Sequence, residues 1–514
     1  MTETAETSSP TERNEPLSPR EVVIAMSGLV VTILLAQLDN LVVAPALPTI
    51  AGELHGLNHL AWVATGYIIS STASTPIWGK LGDIYGRRLT VLASILLFLF
   101  GSALCGISQT MIELIGFRAL QGIGAGGLMV GVVAAVGDLV SPRQRGKYQG
   151  VLMAASPAAI IAGPLVGGFV TEYLTWRWVF YVNLPLGIAA LVLCSATLRK
   201  LPAGNRSAPV DWLGTVLLIT WITTLVLITS WAGTQYAWGS WQILALTVAT
   251  VAVFIVFIAV ERRVSEPVMP LHVFKDRNFT LATLLGFLNR GAMFGAITFL
   301  PQFQQFIQGA SATSSGLLLA PMMIASAIVA PLRGAYVSRT GRYRTPIIVG
   351  TALMALSLAL FSTMNSGTPP LLTTGYLVML GISTGSLMSV TTTIAQNSVP
   401  LRDLGAATGA STFLRNMGGS LGVSIMGAIY AAQLTGYVDA HGAAAAAGPS
   451  GATGLTPQAL QHMPEAAKHV YQTAITNGTG FLFRWAAALA ICGVVVSWFI
   501  RQITLDDTAP MRRV

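Results

Sequence analysis

The sequence predicts an all-α membrane protein on three observations. Of its 514 residues 53% are hydrophobic and only 10% charged, with a mean hydropathy of +0.66, whereas a soluble domain carries about 25% charged residues. Apolar runs recur along the chain, many of them close to the ~20 residues that cross a ~30 Å hydrocarbon core at 1.5 Å per residue. Arginine and lysine gather in alternate connections, which is the pattern of short cytoplasmic loops. Read this way, the net charge of +9 sets topology and does not mark a nucleic-acid surface.

Residues 1–20 are polar and rich in Ser, Thr, Pro and Glu, and are expected to form a disordered cytoplasmic tail with no signal peptide. The predicted spans are 22–50, 59–78, 89–108, 112–140, 148–171, 179–198, 211–232, 241–260, 278–306, 314–333, 345–364, 370–398, 405–435 and 477–500. Fourteen spans place both ends on one side. The basic connections are 79–88, 141–147, 199–210, 261–277, 333–344 and 399–404, against only Arg177 and Lys468 in the opposite loops. That asymmetry assigns the basic loops and both termini to the cytoplasm. The loop 436–476 is expected outside, low in complexity at first and then able to form a short interfacial helix. Residues 503–514 form a second cytoplasmic tail. The cysteines Cys105, Cys194 and Cys492 all fall within apolar spans and are expected to be buried thiols. The pattern contains no metal or cofactor motif.

One residue stands out in the first span. Asp39 lies well inside the run Gly28–Pro48, where an ionised carboxylate is costly and normally faces a protein interior or a water path. Desolvation disfavours its charged form, so it is the candidate proton carrier. A fixed polar contact between helices is the plainer alternative. The loop GKLGDIYGRR, residues 79–88, is partly echoed by GAYVSRTGRYR, residues 334–344, which points to two related halves. With six spans per half, 211–260 is left as a spare central pair. The expected division is 21–200, a two-helix insert with its linkers at 201–277, and 278–502.

These stretches carry a resemblance. GKLGDIYGRR resembles the signature loop of the major facilitator superfamily, and Arg118–Gly126 (RALQGIGAG) its motif on the fourth span. Gly163-Pro164 with Gly167-Gly168 is similar to its antiporter motif. Leu38-Asp39-Asn40, Trp62 with Tyr67, Trp176–Pro185 and Leu414–Gly422 resemble the fourteen-span drug:proton antiporter branch. The sequence departs from that pattern at Ser338, where the first copy has Asp83, and at Ala159, where glycine is usual.

The resemblance implies a major facilitator fold, two six-helix bundles plus two extra central helices. It places Arg118 beside Asp39 as a proton-coupling pair. Gly79, Gly82, Asp83, Gly86, Arg87 and Arg88 would form a conformational latch, and Gly163, Pro164, Gly167 and Gly168 a seal against proton leak. Candidates for the substrate cavity are Asn40, Tyr67, Gln121, Asn289, Arg290, Gln302, Gln305, Phe306, Arg415 and Asn416. Amides beside aromatics suit an amphipathic ligand, although glutamines at 302–308 are equally suited to a wetted membrane surface. The buried arginines of the second half leave a neutral or anionic substrate open. The expected activity is proton-coupled export of lipophilic small molecules across the plasma membrane by a monomer. Export of an endogenous metabolite or lipid is the alternative, with a proton-coupled importer or a non-transporting receptor further off. No nucleophile–base set suggests an enzyme.

Overall fold

The structure, a computed structural model, describes residues 19–54, 59–201, 209–233, 235–309, 318–365, 367–442 and 460–502. Residues 1–18 and 503–514, nearly all of the expected tails, and 443–459 in the middle of the expected outer loop lie outside them, as do 202–208 in the first linker. The helices are α1 (Pro19–Glu53), α2 (Leu60–Tyr85), α3 (Arg87–Ile107), α4 (Met111–Leu139), α5 (Arg145–Tyr173), the single turn α6 (Trp178–Tyr181) and α7 (Asn183–Thr197). The spare pair is α8 (Trp212–Trp231) and α9 (Trp241–Glu261). Then come α10 (Arg277–Ile307), α11 (Ala320–Thr340), α12 (Arg344–Phe361), α13 (Pro370–Asn397), α14 (Leu404–Ala440) and α15 (Glu465–Trp498).

Among the described residues 13 helical segments are long and apolar enough to cross a membrane. Helix α2 is 26 residues long but is not one of them. It carries Ser70, Ser71, Thr72, Ser74, Thr75, Lys80 and Asp83, which lower its hydropathy, and it packs against α4 and α14, so the expected count of fourteen spans is approximate. The chain is a multi-pass membrane protein. Its outer surface is apolar, as Leu244, Val248, Val251 and Ile255 on α9 show.

Polar residues set several helix starts. At the head of α4, Thr110 Oγ1 accepts from the Glu113 amide (3.2 Å) while the Glu113 carboxylate accepts from the Thr110 amide (3.3 Å), a reciprocal cap. Asp211 caps α8 by accepting from Gly214 N–H (2.8 Å) and Asp276 caps α10 through Phe279 N–H (2.8 Å). Residues 465–476, expected in the outer loop, are instead the first turns of α15, because Tyr471, Ala474 and Ile475 bury into the core of the second half. Cys105 and Cys194 are buried as expected, but Cys492 is exposed on the outside of α15.

One core draws on residues 273–500, and two others draw almost wholly on 22–201. Helices α8 and α9 lie at the seam. Leu218, Ile222, Val226 and Phe257 pack with Ala73 of α2 and with Ala410, Phe413 and Met417 of α14, and Ser424 Oγ donates to Thr229 O (2.8 Å).

The sequence echo has a structural counterpart. Gly86 (φ 90°) ends α2 and Gly341 (φ 67°) ends α11, left-handed positions where glycine carries no Cβ penalty. Seven residues earlier, Gly79 lies against the Gly405 backbone of α14, and Gly334 against the Gly146 backbone of α5. Each half's second helix thus crosses a helix of the other half glycine on glycine, a spacing only small residues permit. We call the end of the bundle that carries these turns the basic end.

Within the first half, Gly124 of α4 meets α3 so closely that a Cβ would lie 2.8 Å from Phe98 Cα, whereas Gly116 on the same helix faces open space. Gly124→Ala should therefore destabilise by about 1–3 kcal/mol through overpacking. Gly116→Ala should be neutral or stabilise by up to about 1 kcal/mol through helix propensity. Thermal unfolding of the two variants in detergent checks the difference, and equal melting temperatures would contradict this packing.

Candidate functional site

Asp39 lies on α1, fully buried, and its carboxylate is met from two other helices. Arg118 Nη1 of α4 donates to Oδ2 at 2.5 Å. Gln121 Nε2, one turn on, and Asn183 Nδ2 of α7 both donate to Oδ1 at 2.7 Å. Asn183 also donates to Ser102 Oγ of α3 (3.0 Å), which donates in turn to Phe180 O (2.9 Å). The carboxylate therefore accepts three hydrogen bonds, one from a guanidinium, the arrangement that compensates a buried charge.

Arg118 is 1% exposed and has neutral partners besides Asp39. It donates to Gln121 Oε1 (2.8 Å) and Asn40 Oδ1 (3.0 Å), and its guanidinium stacks 4.2 Å from the Tyr67 ring centroid. Of the residues read as cavity candidates, Asn40, Tyr67 and Gln121 thus surround the ion pair. Sequence reasoning did not single out Ser102, and named Asn183 only as part of a family stretch, with no role beside Asp39. An asparagine inside the stretch Trp176–Pro185 was the available signal.

Next to the pair, α5 presses on α1. A Cβ on Gly163 would lie 3.3 Å from Leu41 Cα and one on Gly167 3.1 Å from Val42 Cα, the residues that follow Asp39-Asn40; Gly168 touches nothing within 4 Å. The side chain of Pro164 lies outside the described residues.

At the basic end Asp83 crosses between the halves. It accepts from the amides of Gly405 (3.0 Å) and Ala406 (2.7 Å), the first turn of α14, where the helix dipole favours a negative charge. Arg87 Nη2 donates to the same carboxylate, and its Nε reaches Asp138 at 2.9 Å. Gly82 leaves room for that guanidinium, while Arg88 is exposed. Where the second half has Ser338, the charge comes from the other side. Arg143 donates to the carbonyls of Ser338 (2.9 Å) and Arg339 (3.0 Å) near the end of α11. Arg145 donates to Gln396 O (3.0 Å) and Asn397 Oδ1 (2.7 Å) at the end of α13, and Gln149 Nε2 reaches Gln396 Oε1 at 3.1 Å. Cations at helix C-termini obey the same dipole logic as the acid at the N-terminus. As sequence, Arg143 and Arg145 carried only a topological signal. Outside the bundle seam, Lys80 pairs with Glu266 of the second linker (2.5 Å).

At the opposite end, among the described residues, a clasp lies within the first half. Glu53 accepts from Arg177 (2.6 Å) and Trp176 Nε1 (2.8 Å), and the Arg177 hydrogen bond holds this carboxyl below its usual range.

In the second half Asn289, Arg290 and Arg415 line one small cavity. Asn416 is half-buried and does not line it, Gln302 is exposed, and Gln305 and Phe306 are half-buried. The buried amide of that turn is Gln304, whose Nε2 and Oε1 have no hydrogen-bond partner. Among the described residues no three His, Cys, Asp or Glu side chains converge as a metal site.

A bundle of this topology with a buried acid–arginine pair defines a membrane transporter. The family model described as Major Facilitator Superfamily matches residues 29–423, and the chain belongs to that superfamily, whose members are transporters and not enzymes. It is 34% identical to the multidrug transporter protein MdtP of Bacillus subtilis over 94% of each chain. Multidrug resistance protein 3 of the same organism is 32% identical over 95% of this chain and 96% of its own. Among solved structures, the proton:xylose symporter XylE bound to 6-bromo-6-deoxy-D-glucose superposes with a TM-score of 0.61 at 13% identity, covering 95% of this chain and 98% of its own. The human organic anion transporter MFSD10 gives 0.60 at 15%, covering 92% and 100%. At such identities the likeness is one of fold.

Removing one partner of a buried ion pair costs about 3–5 kcal/mol, because the other charge is left uncompensated. Arg118→Gln should therefore melt well below wild type in detergent at neutral pH. The double variant Asp39→Asn with Arg118→Gln should recover part of that loss. Additive losses would show that the two side chains are not coupled.

Proposed function

We propose that the protein is a proton-coupled antiporter that exports lipophilic or amphipathic small molecules by alternating access. The observation that carries this reading is the Asp39 carboxylate, buried and held by Arg118, Gln121 and Asn183. Every polar neighbour named there donates to it. A proton arriving on Asp39 cancels the charge that holds Arg118 and adds an O–H that needs an acceptor of its own, so the guanidinium contact weakens. Arg118 can let go without being stranded, since Gln121, Asn40 and the Tyr67 face remain. Proton arrival is thereby coupled to a movement of α1 against α4.

In this reading the basic end faces the cytoplasm, as do both termini, and the protein acts as a monomer in the plasma membrane. The straps from Asp83, Arg143 and Arg145 hold the cytoplasmic end shut, which corresponds to a state open to the outside. From that side Asp39 takes a proton, the halves rock, and the straps release. The proton then leaves to the cytoplasm as substrate binds. The close glycine contacts of α5 on α1 limit leakage. One proton moving inward yields about 2.3 kcal/mol per 100 mV, and each tenfold substrate gradient costs about 1.4 kcal/mol. A neutral compound can therefore be held at a gradient of roughly tens-fold. The relatives named as multidrug transporters support export of drug-like molecules.

Substrate addition to the purified protein in weakly buffered detergent should release protons, and Asp39→Asn should abolish that release while the protein stays folded. Release at wild-type level from the variant would refute the carrier role.

A further inference from the structure

The second half contains an uncompensated positive charge in its interior. Between residues 278 and 502 the acidic residues are Asp403, Asp439 and Glu465. Asp403 precedes α14 at the basic end and pairs with His272 and Arg402. Asp439 lies in the last turn of α14, and Glu465 is the first residue of α15. None lies in the middle of a span.

Yet two arginines from facing helices line the same cavity, Arg290 of α10 and Arg415 of α14. Each stem runs across a glycine of the other helix. A Cβ on Gly419 would lie 3.2 Å from Arg290 Cγ, and one on Gly286 3.7 Å from Arg415 Cδ. Arg415 is 9% exposed and donates only to the hydroxyls of Thr392 (3.0 Å) and Thr412 (3.4 Å), leaving Nε without a partner. Arg290 stacks over Phe294 at 4.8 Å and makes no ion pair among the described residues. Beside them Asn289 is 6% exposed, with neither its amide nitrogen nor its oxygen hydrogen-bonded. Arg415 is buried and Arg290 half-buried; holding two guanidinium groups together without a carboxylate is costly, and an anion offering two oxygens in a plane is what their fork geometry fits.

We propose that this cavity binds the carboxylate head of an anionic amphipath, with Arg290 and Arg415 supplying the charge and Asn289 a further donor. The cavity holds about 40 Å³, far below the about 300 Å³ or more of a drug-sized pocket. It therefore admits the head group alone in this state. Met293, Met354 and Met388 at its wall give an adaptable apolar surface for the adjoining carbon chain. The inference deepens the exporter reading and rests on it: exchanging one proton inward for one such anion outward moves both charges with an inside-negative potential.

Binding of 1-pyrenebutyrate and of its methyl ester to the purified protein, followed by pyrene fluorescence, tests the assignment. Wild type should bind the acid at least tenfold more tightly than the ester. R290Q and R415Q should reduce that preference to within twofold while eluting as monodisperse protein, and R415K should restore part of it. Equal affinity of wild type for acid and ester, no saturable binding of the acid, or a preference that survives both substitutions would overturn the proposal. Nanodiscs made with anionic instead of zwitterionic phospholipid should leave acid binding unchanged; competition by the lipid would assign the arginines to a headgroup and would equally overturn it. Proteoliposomes separate this from the exporter reading. A charge-selective cavity without proton-driven movement of either compound would sink export alone, and proton-driven movement of the ester with no acid preference would sink only the cavity assignment.

Discussion

A carboxylate out of water must be compensated, and around Asp39 that requirement dictates the local structure. Its donors come from α4 and α7, and the α7 donor is braced by Ser102 of α3. Four helices of the first half are therefore tied together by one side chain. The partners are unequal. Gln121 and Asn183 are neutral, whereas Arg118 is permanently charged and also donates to the neutral acceptors Gln121 and Asn40. In the proposed cycle this assembly takes two states, one with the carboxylate ionised and one with it protonated and the guanidinium resting on neutral acceptors. Bistability is what a coupled transporter needs.

The halves are joined at the basic end by contacts that use helix ends in place of side-chain ion pairs. Asp83 reads the amide end of α14, while Arg143 and Arg145 read the carbonyl ends of α11 and α13. Such contacts require the helix termini to be in place, and the proposed rocking of the halves would release them as a set. The glycine crossings Gly79–Gly405 and Gly146–Gly334 bring the backbones close enough for this. The two straps differ in chemistry because Ser338 replaces the acid in the second copy, and the cation on the facing loop takes over.

Much of this was legible in the sequence because hydrophobic spacing and loop charge are local properties. Most of the spans, Asp39 as an outlier and the echo of the glycine loop follow from counting along the chain, whereas the packing of α8 and α9 against α2 and α14 does not. The pairing of Asp39 with Arg118 came from resemblance, since 79 residues separate them and nothing local links them. Ser102, and the role of Asn183 beside Asp39, were missed because an isolated amide or hydroxyl in an apolar run has many structural uses. Arg143 and Arg145 were read only as topology signals, because a contact to a distant carbonyl leaves no mark in composition. The face assigned to Gln302 and Gln305 fell one or two residues off the buried amide, Gln304, at the membrane-surface end of α10. Residues 465–476 were read as loop or a short interfacial helix because polar residues in their early turns mask the start of a span that buries Tyr471 and Ile475.

Infrared difference spectroscopy of the purified protein, with Asp39→Asn as reference, reads the protonation of that carboxyl directly. The account predicts a protonated-carboxyl band, absent from the variant, that gives way to carboxylate bands when a transported compound is added. An Asp39 that stays ionised across pH and substrate conditions under which transport runs would contradict it.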